Sequence, residues 1–283
     1  PNAATGLSPR AGGRATGAFA AGAQTLEGDL AVVVWSVAFG GAVTPRTIDL
    51  AAYASFGNPT RVEVADDGAG AVVLGGAQLI TIKAGALTGE HDKLLSRGGK
   101  IADLEIQQVK DVAVAPGGAL LVTVDAFDSK KGAVRQALLA RGVGGAPYVV
   151  RKAGDVVDAP AKEGDLANTA QGFVIKAGSS NGGVVVEEEF LEGDADIGIK
   201  MSGPTWAMNP RRLLVGQIDN PRALAELVRT GNDPSGVENV SLQTFGDAAL
   251  LADGRVIFDA NYVEEGARGW LFNARSGGGV FAV

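Results

Sequence analysis

Val62-Glu-Val-Ala-Asp-Asp-Gly68-Ala-Gly-Ala-Val-Val-Leu74 is the stretch that decides how this chain is read. Apolar residues fall four before the central glycine (Val64) and four after it (Val72), in step with a two-residue period running outward from a turn. Asp67-Gly68 is a dipeptide that tolerates positive φ, which tight hairpin turns demand and most side chains resist. Two further segments superpose on it without gaps, Val112-Ala-Val-Ala-Pro-Gly-Gly118-Ala-Leu-Leu-Val-Thr-Val124 and Ala248-Ala-Leu-Leu-Ala-Asp-Gly254-Arg-Val-Ile-Phe-Asp-Ala260. Val114 and Val122, then Leu250 and Phe258, take the same two positions. Each segment reads as a β-hairpin.

Fainter copies centre on Gly28, Gly172 and Arg211, so the six centres are separated by 40, 50, 54, 39 and 43 residues. That is the spacing of propeller blades. Downstream of a hairpin a second unit recurs as apolar strand, glycine turn, apolar strand, from Ala137 to Val150 and again from Trp270 to Val283, which makes about four short strands per unit. A Lys-Ala-Gly signature also follows apolar strands, at Lys83, Lys152 and Lys176. The expectation is an all-β fold, an irregular β-propeller of about six blades over 25-283. A glycine- and alanine-rich N-terminal arm over 1-24 would precede it, with ring closure by a strand near Leu30 to Trp35 beside the last blade. A β-sandwich or double jelly roll would use the same hairpins in two layers. One inserted helix is expected over 221-230: Asn220 can cap it, Pro221 suits its first position, Gly231 its exit, and Leu224, Leu227 and Val228 form an apolar stripe.

Composition narrows the chemistry. Among 283 residues there are 42 glycines, one histidine and no cysteine, so the usual zinc, haem and iron–sulfur ligand sets cannot be assembled within one chain. No metal and no cofactor is expected. A net charge of −7 without clustered Lys and Arg argues against a nucleic-acid partner. Leu30 to Pro45 is the longest strongly apolar run, is broken by Gly40-Gly41, and is shorter than the ~20 residues of a membrane-spanning helix. Because Pro1 opens the sequence, an upstream leader would favour export, whereas a lone preceding Met would favour a virion component.

Each chemically suggestive residue has a plainer reading. His91 in Gly89-Glu-His-Asp92 could be a general base with Asp92 as orienter, but strand neighbours point to opposite faces. Glu187-Glu188-Glu189 and Asp194-x-Asp196 lack the dense oxygen-rich spacing of a calcium loop and read as a solvated edge strand. Trp35 and Trp270 sit among apolar strand residues and read as core. Trp206 follows Gly203-Pro204 and reads as a surface aromatic, with Arg211 and Arg212 beside it as hydrogen-bond donors to a hydroxyl or carboxylate. Gly277-Gly-Gly279 and the glycines from Gly142 to Gly145 lack the lysine and helix of a phosphate loop and read as hairpin turns. Asn239-Val-Ser241 is a formal glycosylation sequon. No catalytic residue is assigned.

Leu251-Ala-Asp-Gly254-Arg-Val256-Ile-Phe258 with Trp270-Leu271-Phe272, and Ala115-Pro-Gly-Gly118 with Ala137-Leu138-Leu139, resemble the blades of bacterial secreted β-propeller repeat proteins, which read Asn-x-x-Gly-x-Val-x-Phe before a short apolar strand. The asparagine of that pattern is replaced here by Ala65, Ala115 and Leu251. The resemblance covers about a third of the chain and implies architecture and an extracellular setting; its motif carries no catalytic residue. The expected function is therefore a non-catalytic extracellular structural or binding protein. Its expected partners are other protein subunits or a surface glycan, and it would work alone or as a homo-oligomer or assembly. The alternatives are a virion structural component and a polysaccharide- or lactone-cleaving propeller enzyme using His91.

Overall fold

Among the described residues, twenty strands fall into five antiparallel sheets that follow one another along the chain. The computed structural model describes residues 17–24, 29–37, 42–84, 91–158, 167–179, 181–191, 210–231, 240–251, 253–264 and 276–283. The first sheet holds β1 (Gly17–Gln24), β2 (Leu30–Val37) and β3 (Val43–Asp49). The second holds β4 (Pro59–Val64), β5 (Gly70–Leu74), β6 (Gln78–Ile82) and β7 (His91–Ser96). The third holds β8 (Lys100–Ile101), β9 (Leu104–Val114), β10 (Leu120–Asp128), β11 (Ala133–Arg141) and β12 (Tyr148–Lys152). The fourth holds β13 (Val156–Asp158), β14 (Asn168–Gly178), β15 (Gly183–Leu191), β16 (Arg211–Gln217) and β17 (Ala225–Arg229), and the fifth holds β18 (Val240–Leu250), β19 (Val256–Glu264) and β20 (Ser276–Ala282). In every sheet each strand pairs with its neighbours in sequence.

Successive sheets meet along an early strand of each: β1 against β4, β4 against β9, β9 against β14, and β14 against β18. Four apolar cores fill the spaces between them. Leu30, Val32, Val34 and Ile48 of the first sheet pack with Val72, Leu74 and Ile80 of the second. Ala71, Val73 and Leu79 of the second pack with Ile106, Val122 and Leu139 of the third. Leu121 and Leu138 of the third pack with Phe173, Val186 and Leu214 of the fourth, and Val185 and Leu213 of the fourth with Phe245 and Phe258 of the fifth. Strand alternation explains the traffic: Val72 and Val73 are sequence neighbours that enter different cores, as are Leu120 and Leu121, and Val184 and Val185. A sheet buried on both faces reads as a continuous apolar run, and β5 is buried at all five residues. The chain is all-β and its sheets are arranged as propeller blades.

One turn is used four times. At Gly68, Gly118 and Gly254 the residue three before the glycine donates its N–H to the carbonyl just after it (2.8–2.9 Å) and accepts the glycine N–H (2.9–3.0 Å). The fourth copy is at Gly182, where Ser179 exchanges the same two bonds with Gly182 and Gly183. All four glycines have positive φ, from 81° to 92°. These turns touch in series. Asp67 Oδ2 accepts the Gly117 N–H at 2.6 Å, a Cβ at Gly182 would stand 3.0 Å from that of Ala115, and Gly183 lies against Leu250.

Several expectations are corrected. The blade count of about six becomes five sheets among the described residues, because two of the six centres, Gly172 in β14 and Arg211 in β16, belong to the same sheet. Gly172 lies at a register shift within β14, and the fourth turn is at Gly182. The helix expected over 221-230 is a single 3-10 turn at Pro221–Ala223 followed by strand β17, whose pairing with the edge of β16 outweighs the local helical preference. Leu30 to Trp35 lies within β2, paired on both sides inside the first sheet, so it does not flank the last one. Gly277-Gly-Gly279 is strand, not turn, since it pairs with Tyr262, Asn261 and Ala260 and leaves room for the rings of Tyr262 and Phe281. The last eight residues of the expected 1-24 arm, Gly17–Gln24, are β1. No helix among the described residues is long and apolar enough to cross a membrane.

Candidate functional site between the third and fourth sheets

The three consecutive glutamates and the two consecutive arginines meet. β15 and β16 pair in a register that sets Glu188 opposite Arg212 and Glu189 opposite Arg211. Since adjacent residues point to opposite faces, the Glu-Glu-Glu and Arg-Arg runs place acid and base together on both sides of the sheet. On one side Glu187 bonds Arg211 Nη1 and Lys176 Nζ, each at 3.0 Å. On the other, facing the third sheet, Glu188 has no exposed surface and accepts from Arg212 Nε at 2.6 Å and from Arg151 Nη1 of β12 at 2.7 and 2.9 Å.

Arg212 extends this pair into a network. Its Nη1 reaches Asp158 Oδ1 at 3.2 Å and Glu226 Oε2 at 3.0 Å, while Arg229 Nη2 reaches Asp158 Oδ2 at 2.9 Å and Glu226 Oε2 at 2.7 Å. Both guanidinium groups lie near the ring of buried Phe190, at 5.8 and 4.9 Å from its centroid. Burial works against the charge of Arg212, but Glu188, Glu226 and Asp158 outweigh it and raise its pKa above the ordinary arginine value. Burial likewise opposes ionised Asp158 and Glu226, yet the arginines, with Asn168 for Asp158, hold both carboxyls below the usual range. Three arginines balance three carboxylates.

Beside Glu188 a cleft of about 120 Å³ opens between the two sheets. Leu138, Val150, Phe173, Leu214, Pro221 and Leu224 form its walls, with Arg151 and Glu188 at its floor. Arg222, exposed on the 3-10 turn, stands at the mouth with its guanidinium carbon 5.4 Å from the centre of the Tyr148 ring.

The residues singled out in the sequence are thus distributed. Arg211 is about a quarter exposed and Arg212 7% exposed, and both are hydrogen-bonded to glutamates; Trp206, Trp270, Asp194, Asp196 and Asn239 lie outside the described residues. Glu187 to Glu189 occupy β15, inside a sheet with strands on both sides, and their counter-ions are arginine and lysine, so the edge-strand reading fails there. Trp35 is half-buried on β2. His91 opens β7 in the second sheet, away from the cleft's lining, with its ring edge-on to Tyr53 at 5.6 Å. Among the described residues no group of three or more His, Asp or Glu could hold a metal. Sequence reasoning missed Arg151, Arg222 and Tyr148, which no motif marks; only the packing of the third sheet against the fourth brings Arg151 to Glu188 and Arg222 to Tyr148.

No known protein family matches the sequence, and no curated protein matches it. Solved structures do. The Dos1 propeller matches over 88% of this chain and 53% of its own, at 11% identity and a TM-score of 0.39, so the chain spans about half of that protein's length. The β-propeller domain of the trilobed protease from Pyrococcus furiosus matches over 90% and 80%, at 11% identity and a TM-score of 0.37. An ulvan lyase of polysaccharide lyase family PL25 matches over 99% and 71%, at 11% identity and a TM-score of 0.42. None of these likenesses transfers a residue or an activity to this chain.

Proposed function

We propose that this chain is a non-catalytic structural or binding protein that acts through its β-rich surface, in an extracellular or surface-exposed setting, on other protein subunits or a surface glycan. The observation that carries the reading is the mutual pairing of Glu187, Glu188, Arg211 and Arg212. These are the residues with the most concentrated charge in the sequence, and their hydrogen-bonding capacity goes to holding strands and sheets together. A buried carboxylate that accepts hydrogen bonds from two guanidinium groups is not free to take a proton from a substrate, as a general base must. The lack of cysteine suits an oxidising exterior.

The test is turnover. The purified protein is incubated with polyuronates, followed by absorbance of unsaturated products, and with aldonolactones, followed by acid release. No turnover above buffer is expected. Turnover that His91→Ala abolishes would overturn the reading in favour of an enzyme.

A further inference from the structure

We propose that the cleft between the third and fourth sheets binds a small organic carboxylate with an aromatic or branched apolar body. This goes beyond the reading above, which named subunits or a glycan as partners, by assigning a small-molecule ligand class to one site.

The walls are apolar side chains from both sheets, among them Leu138 and Val150 on one side and Phe173 and Leu214 on the other, and a volume of about 120 Å³ limits the occupant to a single ring or branched chain. The cations carry the argument for the charge. Arg151 spends only Nη1 on Glu188; its Nε and Nη2 have no partner among the described residues, and its side chain is 31% exposed. Arg222 has no carboxylate partner among the described residues; its guanidinium carbon lies 5.4 Å from the centre of the Tyr148 ring, and the residue is exposed. An arginine edge offers paired N–H donors matched to the two oxygens of a carboxylate. Glu188 does not repel such a ligand outright, because Arg151 and Arg212 already neutralise it. Among the described residues that line the cleft, Arg151 offsets Glu188 and Arg222 leaves one positive charge in excess, in a chain whose net charge is −7.

The experiment titrates the full chain with 3-phenylpropionate and, separately, with 3-phenylpropan-1-ol, which has the same ring and no charge. Binding is read from methyl resonances of Leu138, Val150 and Leu224. The acid is expected to saturate these shifts at least about tenfold more tightly than the alcohol, the usual weight of a charge-assisted hydrogen bond. Arg222→Gln, at an exposed position, should bring acid and alcohol close to equality with no change in thermal midpoint. Val150→Phe, which fills the cleft, should abolish both. Equal binding of acid and alcohol to the unaltered protein, a preference that survives Arg222→Gln, or no saturable shift at 10 mM (about the weakest affinity worth calling a site) would each overturn the proposal. Failure here leaves the turnover assays unaffected, so the two readings fall separately.

Discussion

Arg212 is the residue on which the fourth sheet's polar chemistry converges. Its guanidinium joins Glu188 of β15, Asp158 of β13 and Glu226 of β17, so removing it leaves those three carboxylates, one of them fully buried, with only Arg151 and Arg229 between them. Arg212→Met is expected to cost about 3–5 kcal/mol, the range for breaking a buried pair from one side, read from urea denaturation. Arg255→Ala, which breaks the exposed pair with Asp253, should leave the urea midpoint almost unchanged. Equal losses would mean that burial of the network is not what gives it weight. The four turn glycines allow a second comparison. Alanine at Gly254 meets open space and pays only for its positive φ, about 1–2 kcal/mol. Alanine at Gly182 pays that and also presses on Ala115 of the third sheet, so it should be the more damaging by about 1–3 kcal/mol in the same assay. At this scale the sequence was half legible: alternation explains why adjacent glutamates and adjacent arginines pair on both faces, but nothing local says that β15 and β16 are neighbours, because 192–210 separates them.

At the scale of elements, the third sheet closes on a lysine. Lys152, last in β12, donates from Nζ to Asp103 Oδ2 in the turn before β9 and to Asp128 Oδ2 at the end of β10, both at 2.8 Å. Those hydrogen bonds hold both aspartates below the ordinary carboxylate range and raise the lysine. The aspartates therefore stabilise the fold fully above their unfolded pKa of about 3.9, and the contribution is lost as pH falls through their lower folded values. The lysine's contribution is present below its unfolded pKa and lost as pH rises through its higher folded value. Lys152→Met should lower the urea midpoint at pH 7, and its deficit against the unaltered protein should shrink through the acid limb below pH ~4. A deficit independent of pH would show that Lys152 acts through packing alone. Three of the hairpin turns were readable because an apolar residue stands four before each glycine; the fourth escaped because Gly178 occupies that place before Gly182. The helix expected over 221-230 failed for a different reason. Its caps and stripe are local signals, and the free edge of β16 offers backbone hydrogen bonds that a short isolated helix cannot match.

At the scale of the molecule, five sheets share four cores, and every inner sheet contributes to the core before it and the core after it. Continuous apolar runs such as Gly70-Ala-Val-Val-Leu74 are the trace of that double burial in the sequence. The periodic turns made the repeated unit legible, while its count was not, because sheets of three, four and five strands do not keep a constant spacing. A two-layer sandwich would bury one face of each sheet and leave sequence neighbours with opposite fates, one inside and one in water. The most direct test is a methyl-to-methyl nuclear Overhauser map of the valine, leucine and isoleucine side chains. Val72 should show cross-peaks to Val32, Val34 or Ile48 of the first sheet, and its neighbour Val73 to Val122 or Leu139 of the third. Cross-peaks from both valines to the same sheet, or from only one of them to any other sheet, would contradict the stacked arrangement.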